Sequence, residues 1–135
     1  MRQISIIKGL KMNNKDIARA LFTAFASGDD NSARQLCDTN LQASQNHGPW
    51  MNIDTLLEFS AAFKRVAQNF RYEQVICSAT DTGFVEEHSV RATLADGSEL
   101  DLAVCIVAEI RSGKIIKLRE YFDSAAVTAV AAALS

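Results

Sequence analysis

The apolar residues of this chain change their spacing once, near Arg71, and that change decides the fold class. Before it they recur every three or four residues, as on a buried helix face. After it they alternate, as in strands with one face in a core. The first helix is read from about Asn14 to Ser27. Asn13 or Asn14 caps it, Ile17, Leu21, Ala24 and Phe25 form its stripe, and Gly28 ends it. A short second helix follows over Asn31–Cys37, then a short strand over Leu41–Gln45 and a loop at His47-Gly48-Pro49-Trp50. A third helix, capped by Asn52, spans about Ile53–Asn69 and is the most amphipathic stretch of the chain. Strands are predicted over Arg71–Ala79, Phe84–Leu94, Glu99–Arg111 and Lys114–Asp123, with turns at Asp96-Gly97 and Ser112-Gly113. Ala125–Leu134 reads as an alanine-rich closing helix. Helices first and long antiparallel strands afterwards predict an α+β fold with the helices on one sheet face. Long strands twist and curl, so the sheet becomes a cone whose mouth suits a small molecule.

Composition narrows the function. Fourteen Lys and Arg stand against sixteen Asp and Glu, a net charge of −2, so no basic excess exists to neutralise a nucleic-acid backbone. The longest apolar run, Leu102–Ala108, has seven residues, whereas a membrane helix needs about 20. Cys37, Cys77 and Cys105 are odd in number and widely spaced, which fits reduced thiols in a cytoplasm better than a disulfide framework. The first twelve residues lack the long apolar core of an export signal and read as a flexible N-terminal arm, with Met12 a second candidate start. Residues 13–135 read as one domain.

Several pieces, in order, resemble the SnoaL-like, ketosteroid isomerase-like branch of the NTF2-like superfamily. They are Ala26-Ser27-Gly28-Asp29, Glu87-His88 with Val90, Ala95-Asp96-Gly97, and Gly113-Lys114-Ile115-Ile116 leading into Arg119-Glu120-Tyr121-Phe122-Asp123. The resemblance spans about residues 14–124. It implies an NTF2-like cone, a curved antiparallel sheet packed on N-terminal helices, with a pocket between them. It also implies chemistry by carboxylates, histidines and tyrosines without a cofactor, and frequent dimers through the sheet. The limonene epoxide hydrolases of this branch use an Asp-Arg-Asp set. Here Asp123 matches its final Asp, but His88 stands in place of the Arg and Val90 in place of the other Asp. That set is broken, so epoxide hydrolysis by that route is not expected.

His88 is the most informative residue. It shares the apolar face of its strand with Phe84, Glu86, Val90 and Ala92, and imidazole suits proton transfer near neutrality. The plain alternative is a structural histidine satisfied by its neighbours. It is expected to be buried between the third helix and the sheet, near Phe63 or Trp50. Glu86, two residues away, either orients the imidazole or sits at a solvated rim. Asp123 is a candidate acid or base, or simply the cap of the last helix; Tyr121 is a candidate oxyanion donor. Register bears on both. Two-residue turns at Asp96-Gly97 and Ser112-Gly113 put His88 and Glu120 opposite Cys105 and leave Tyr121 and Asp123 on the other face. A β-bulge in either hairpin reverses this, and the resemblance favours an inward Asp123.

The sequence thus predicts a ligand pocket involving Trp50, Phe63, Phe84, Glu86 and Val90, with His88, Asp123 and Tyr121 as catalytic candidates. The two histidines, His47 and His88, lie too far apart in sequence to suggest a metal site. The expected activity is that of a cofactor-free isomerase, cyclase or hydratase acting by proton transfer on a hydrophobic carbonyl compound. The rival is a non-catalytic ligand-binding or assembly module of the same fold. Leu100, Leu102, Val104, Ile106, Ala108 and Ile110 make one apolar face of the central strand, and Ala103, Cys105 and Val107 a second. One core covers one face, so a homodimer through the sheet is expected, with the closing helix as the rival cover.

Overall fold

The computed structural model describes residues 12–134. The arm expected over residues 1–12 lies outside them except for Met12. Helix α1 (Asn14–Ser27) starts where Asn13 accepts the Asp16 amide at 2.8 Å, completing a capping box, and stops at Gly28 with φ 73°. Helix α2 (Asp30–Leu36) is capped by Asp29 through the Ser32 amide, and α3 (Ile53–Val66) by Asn52 through the Thr55 amide.

Strands β1 (Cys37–Gln45), β2 (Ala67–Ala79), β3 (Gly83–Leu94), β4 (Glu99–Arg111) and β5 (Lys114–Phe122) form one sheet in the order β1-β5-β4-β3-β2. The last four make the predicted antiparallel meander, and β1 joins its edge parallel to β5. Two boundaries differ from expectation. Helix α3 ends at Val66 rather than Asn69, because Ala67 and Gln68 pair with Leu94 and Thr93 of β3. Strand β1 starts at Cys37 rather than Leu41, where Cys37 pairs with Ile115. In both places sheet pairing overrides the local helical pattern. The closing segment is also split, into a 3₁₀ turn (Ser124–Val127) and helix α4 (Thr128–Leu134).

Bulges curl the sheet. Asn69 and Gln74 of β2 adopt left-handed conformations, with φ of 56° and 55°, where the β2/β3 register slips. Gly83 is demanded by close approach, since a Cβ there would overlap the Ala108 carbonyl oxygen of β4. The concave face carries Phe84, Ala92, Leu100, Leu102, Val104, Ile106, Ala108 and Leu118, all buried, against α1 and α3. Helix α4 packs beside α3 on this same side, so the opposite face of the sheet is not covered by it. No helix among the described residues is long and apolar enough to cross a membrane.

Candidate functional site

A cavity of about 320 Å³ opens between the concave sheet, α1, α3 and α4. Its walls are aromatic: Phe22 and Phe25 from α1, Phe59 and Phe63 from α3, Phe70 and Tyr72 from β2, and Phe122 from β5. Phe63, Phe70, Tyr72 and Phe22 follow one another edge to face, with ring centroids 5.1 to 5.7 Å apart. Into this apolar space projects one carboxylate, Glu120 of β5. The β1/β5 ladder sets Gln45 directly opposite it, and Gln45 Nε2 donates to Glu120 Oε1 at 2.9 Å.

Burial pushes the Glu120 carboxyl above its ordinary range, while the Gln45 hydrogen bond and the charge of His88 pull it part of the way back. Tyr72 lines the same cavity. Its phenol is raised above its ordinary value by burial, then by the charges of Glu120 and Glu86, so it stays a neutral hydrogen-bond donor.

Behind this wall lies a second acidic group. Glu86 and His88 of β3 are both buried, with His88 Nδ1 2.7 Å from Glu86 Oε2. The imidazole sits under Tyr72 (centroids 4.4 Å apart) and Phe22 (5.0 Å). Glu86 faces a separate groove between α1 and β2, where Lys15, Arg19 and Cys77 also lie. Phe22, Phe70 and Tyr72 line both the cavity and this groove, and so form the partition between them. Among the described residues no group of three His, Cys, Asp or Glu side chains gathers at metal-binding distance.

The model of the SnoaL-like domain family matches residues 18–118. The chain belongs to the SnoaL-like family. Solved structures agree on the fold. A candidate polyketide cyclase from Pseudomonas putida KT2440 superposes with a TM-score of 0.74 at 18% identity, covering 84% of this chain and 94% of the other. IdmH, a candidate polyketide cyclase from Streptomyces antibioticus, gives 0.78 at 15% identity over 90% and 99%. A candidate isomerase from Bacillus subtilis gives 0.73 at 14% over 88% and 92%. No curated protein matches the chain.

Within this SnoaL-like site the expected residues separate. Phe63 and Val90 line the cavity. His88 is buried beside it, but under α1 rather than α3: its ring neighbours are Phe22 and Tyr72, not Phe63 or Trp50. Phe84 is fully buried core, and Glu86 is buried rather than at a rim. Trp50 is half exposed on its loop with Lys117 over its ring, away from the cavity. Tyr121 lies opposite Cys105 on the convex face, against His47, and Asp123 is exposed and accepts the Ala125 amide as a cap.

Register explains this separation. The first hairpin has a three-residue loop with Gly97 at φ 84°, so His88 opposes Val104 rather than Cys105. The second keeps its tight Ser112-Gly113 turn but gains a bulge at Ile116, so Glu120 opposes Ile106. Each change shifts the pairing by one residue. Together they cancel, which leaves Glu120 inward and Tyr121 outward. Sequence reasoning therefore had the signal for Glu120, through the strand parity it shares with His88. It had none for Tyr72 and Gln45, whose placement depends on the β2 bulges and the parallel β1.

The raised carboxyl has a stability consequence. The folded protein holds the Glu120 proton more tightly than the unfolded chain does. The resulting stabilisation is complete below the ordinary glutamate value of about 4.3 and is lost as pH rises through the raised folded value. Glu120→Gln, always neutral, is expected to melt above the wild type at pH 8, with the gap closing towards pH 4. Thermal melts across that range check this; a gap that widens in acid contradicts it.

Proposed function

We propose that this SnoaL-like protein is a cofactor-independent isomerase, cyclase or hydratase that moves a proton beside the carbonyl of a small hydrophobic compound. The observation that carries the reading is one carboxyl, Glu120, held by Gln45 inside an aromatic cavity with a neutral phenol, Tyr72, in the same wall. An ionised Glu120 takes the α-proton, and the electron pair moves onto the carbonyl oxygen. Tyr72 donates a hydrogen bond to that developing enolate oxygen. Glu120 then returns the proton to the rearranged carbon; in a cyclisation the enolate carbon instead attacks a second carbonyl within the substrate, and the alkoxide left by that broken π bond takes the proton back from Glu120. The apolar walls strengthen both interactions by excluding water. His88 lies behind the wall, and Tyr121 and Asp123 have no part in this step.

The test is exchange rather than turnover. The protein is incubated in heavy water with a panel of enolisable aromatic ketones, and loss of α-proton signals is followed by NMR. Catalysed exchange for members that fit the cavity supports the reading. A panel that binds without exchange favours the ligand-binding module instead.

We also propose that a second copy covers the convex face, in a protein of the cytoplasm where its three cysteines stay reduced. A shallow groove there is lined by Val75, Ile76, Ala103, Cys105 and Tyr121 together with Gln74, Glu87 and Ser89, with Val75 54% and Ile76 62% exposed. The ion pairs Arg91–Glu73 and Arg119–Glu109 flank it, and the exposed Val75 and Ile76 supply the apolar surface that a second copy would cover. Light scattering is expected to give twice the chain mass of 14.8 kDa, and Cys105→Arg to give the monomer. A wild-type monomer at micromolar concentration would refute the dimer.

A further inference from the structure

The cavity is one-sided in its electrostatics. Seven aromatic rings and one carboxylate, Glu120, line it, and among its described lining residues none is lysine, arginine or histidine. Glu120 Oε1 accepts from Gln45, while among the described residues no hydrogen bond reaches its Oε2. The basic groups nearby are engaged elsewhere. Lys64 of α3 donates to the Phe25 carbonyl, with its ammonium 5.7 Å from the Phe70 ring centroid. His88 lies behind the Tyr72 wall with its Nδ1 against Glu86. Burial holds the Glu120 carboxyl above its ordinary range, and Gln45 and the His88 charge offset only part of that rise. The surroundings therefore supply less positive charge than an ionised Glu120 needs.

A ligand that completes such a wall brings what the wall lacks. A neutral ketone offers only an acceptor oxygen and gives an ionised carboxylate no hydrogen bond. An organic ammonium brings the missing charge. Aromatic faces attract a cation within about 6 Å of the ring centroid, and more strongly once water is excluded. A carboxylate adds direct charge attraction, which a low dielectric amplifies. The opposing cost is removal of the cation from water. That cost is smallest for a charge spread beneath methyl or methylene groups. The cavity volume of about 320 Å³ is near the lower end of ligand pockets, so the molecule is small.

We propose that this cavity binds a small hydrophobic organic cation, a tertiary or quaternary ammonium compound, with its charged end held by Glu120 and the aromatic wall. The inference goes beyond the proton transfer described above and does not rest on it. Such a cation keeps Glu120 ionised but takes its free oxygen, so it competes with a ketone for the cavity.

The test compares two probes of one shape in the wild-type protein. Benzyltrimethylammonium carries the charge, and neopentylbenzene has carbon in place of the nitrogen. Affinities are measured by NMR titration at pH 8 and fixed ionic strength. The cation is expected to bind at least about tenfold more tightly than the hydrocarbon. Glu120→Gln is expected to weaken the cation by about tenfold or more and to leave the hydrocarbon unchanged within about twofold. Phe63→Leu, which keeps the carboxylate and removes one ring, is expected to weaken the cation several-fold more than the hydrocarbon.

A hydrocarbon that binds as tightly as the cation overturns the proposal, as does a cation that fails to bind. So does a cation preference that survives Glu120→Gln, because the charge is then read at another place. Should Glu120→Gln fail to fold, the wild-type comparison and Phe63→Leu still decide. Neither probe has an enolisable proton, so these results are independent of catalysis. Their failure leaves Glu120 as the acid–base group, and failure of the exchange assay leaves the cation site intact.

Discussion

Glu120→Gln is expected to slow α-proton exchange by about 10²–10⁴-fold, the range for removing a positioned general base. The amide keeps the shape of the side chain and its place beside Gln45, so binding of an apolar ketone should change little. The loss then falls on the rate at saturation rather than on affinity. Glu120→Asp is the sharper probe. It keeps the charge but withdraws the carboxylate by one methylene, and misplacement by about 1 Å costs on the order of 10²-fold. Tyr72→Phe should cost less, because other polar groups or water can partly replace one donor. The check is exchange rate against ketone concentration for all three variants, with circular dichroism to confirm folding. If Glu120→Gln exchanges as fast as the wild type, the acid–base assignment is wrong, whatever the affinity.

The fold was largely legible because its signals are local. The period change near Arg71, the caps Asn13 and Asn52, and the breaks at Gly28, Gly97 and Gly113 each act within a few residues, and the structure keeps them. The α3 boundary was less legible because Ala67 and Gln68 answer to β3, a partner 25 or more residues away in sequence. The site was harder still, since it depends on parity across two hairpins. One extra loop residue or one bulge turns every later side chain over, and this chain has both. Their cancellation kept Glu120 and His88 on one face. Nothing in the local pattern of either hairpin announces that cancellation. Asp123 drew attention as the end of the last strand and through the family resemblance, and Tyr121 as the residue that shares its face. The ladder sets Tyr121 on the convex face, and Asp123 turns the chain into the 3₁₀ segment.

His88→Ala is expected to destabilise the protein by about 3–5 kcal/mol, read from urea unfolding, because it strands a buried carboxylate. Position alone suggests a smaller cost of about 1–2 kcal/mol, for lost packing and hydrogen bonding. The difference is Glu86, which is 2% exposed with His88 at 2.7 Å. Removing the imidazole also opens a void under Tyr72 and Phe22, which the sheet cannot close without breaking the β3 ladder. The two causes are separable. Adding Glu86→Gln to His88→Ala replaces a stranded charge with a neutral amide but leaves the void unfilled. If the stranded charge dominates, the double variant recovers part of the lost stability, and the two substitutions are strongly non-additive. If the void dominates, the second substitution adds its own loss. A His88→Ala cost below about 1 kcal/mol would mean that water reaches Glu86 through the α1/β2 groove, and that Lys15 and Arg19 at that groove suffice to hold its charge.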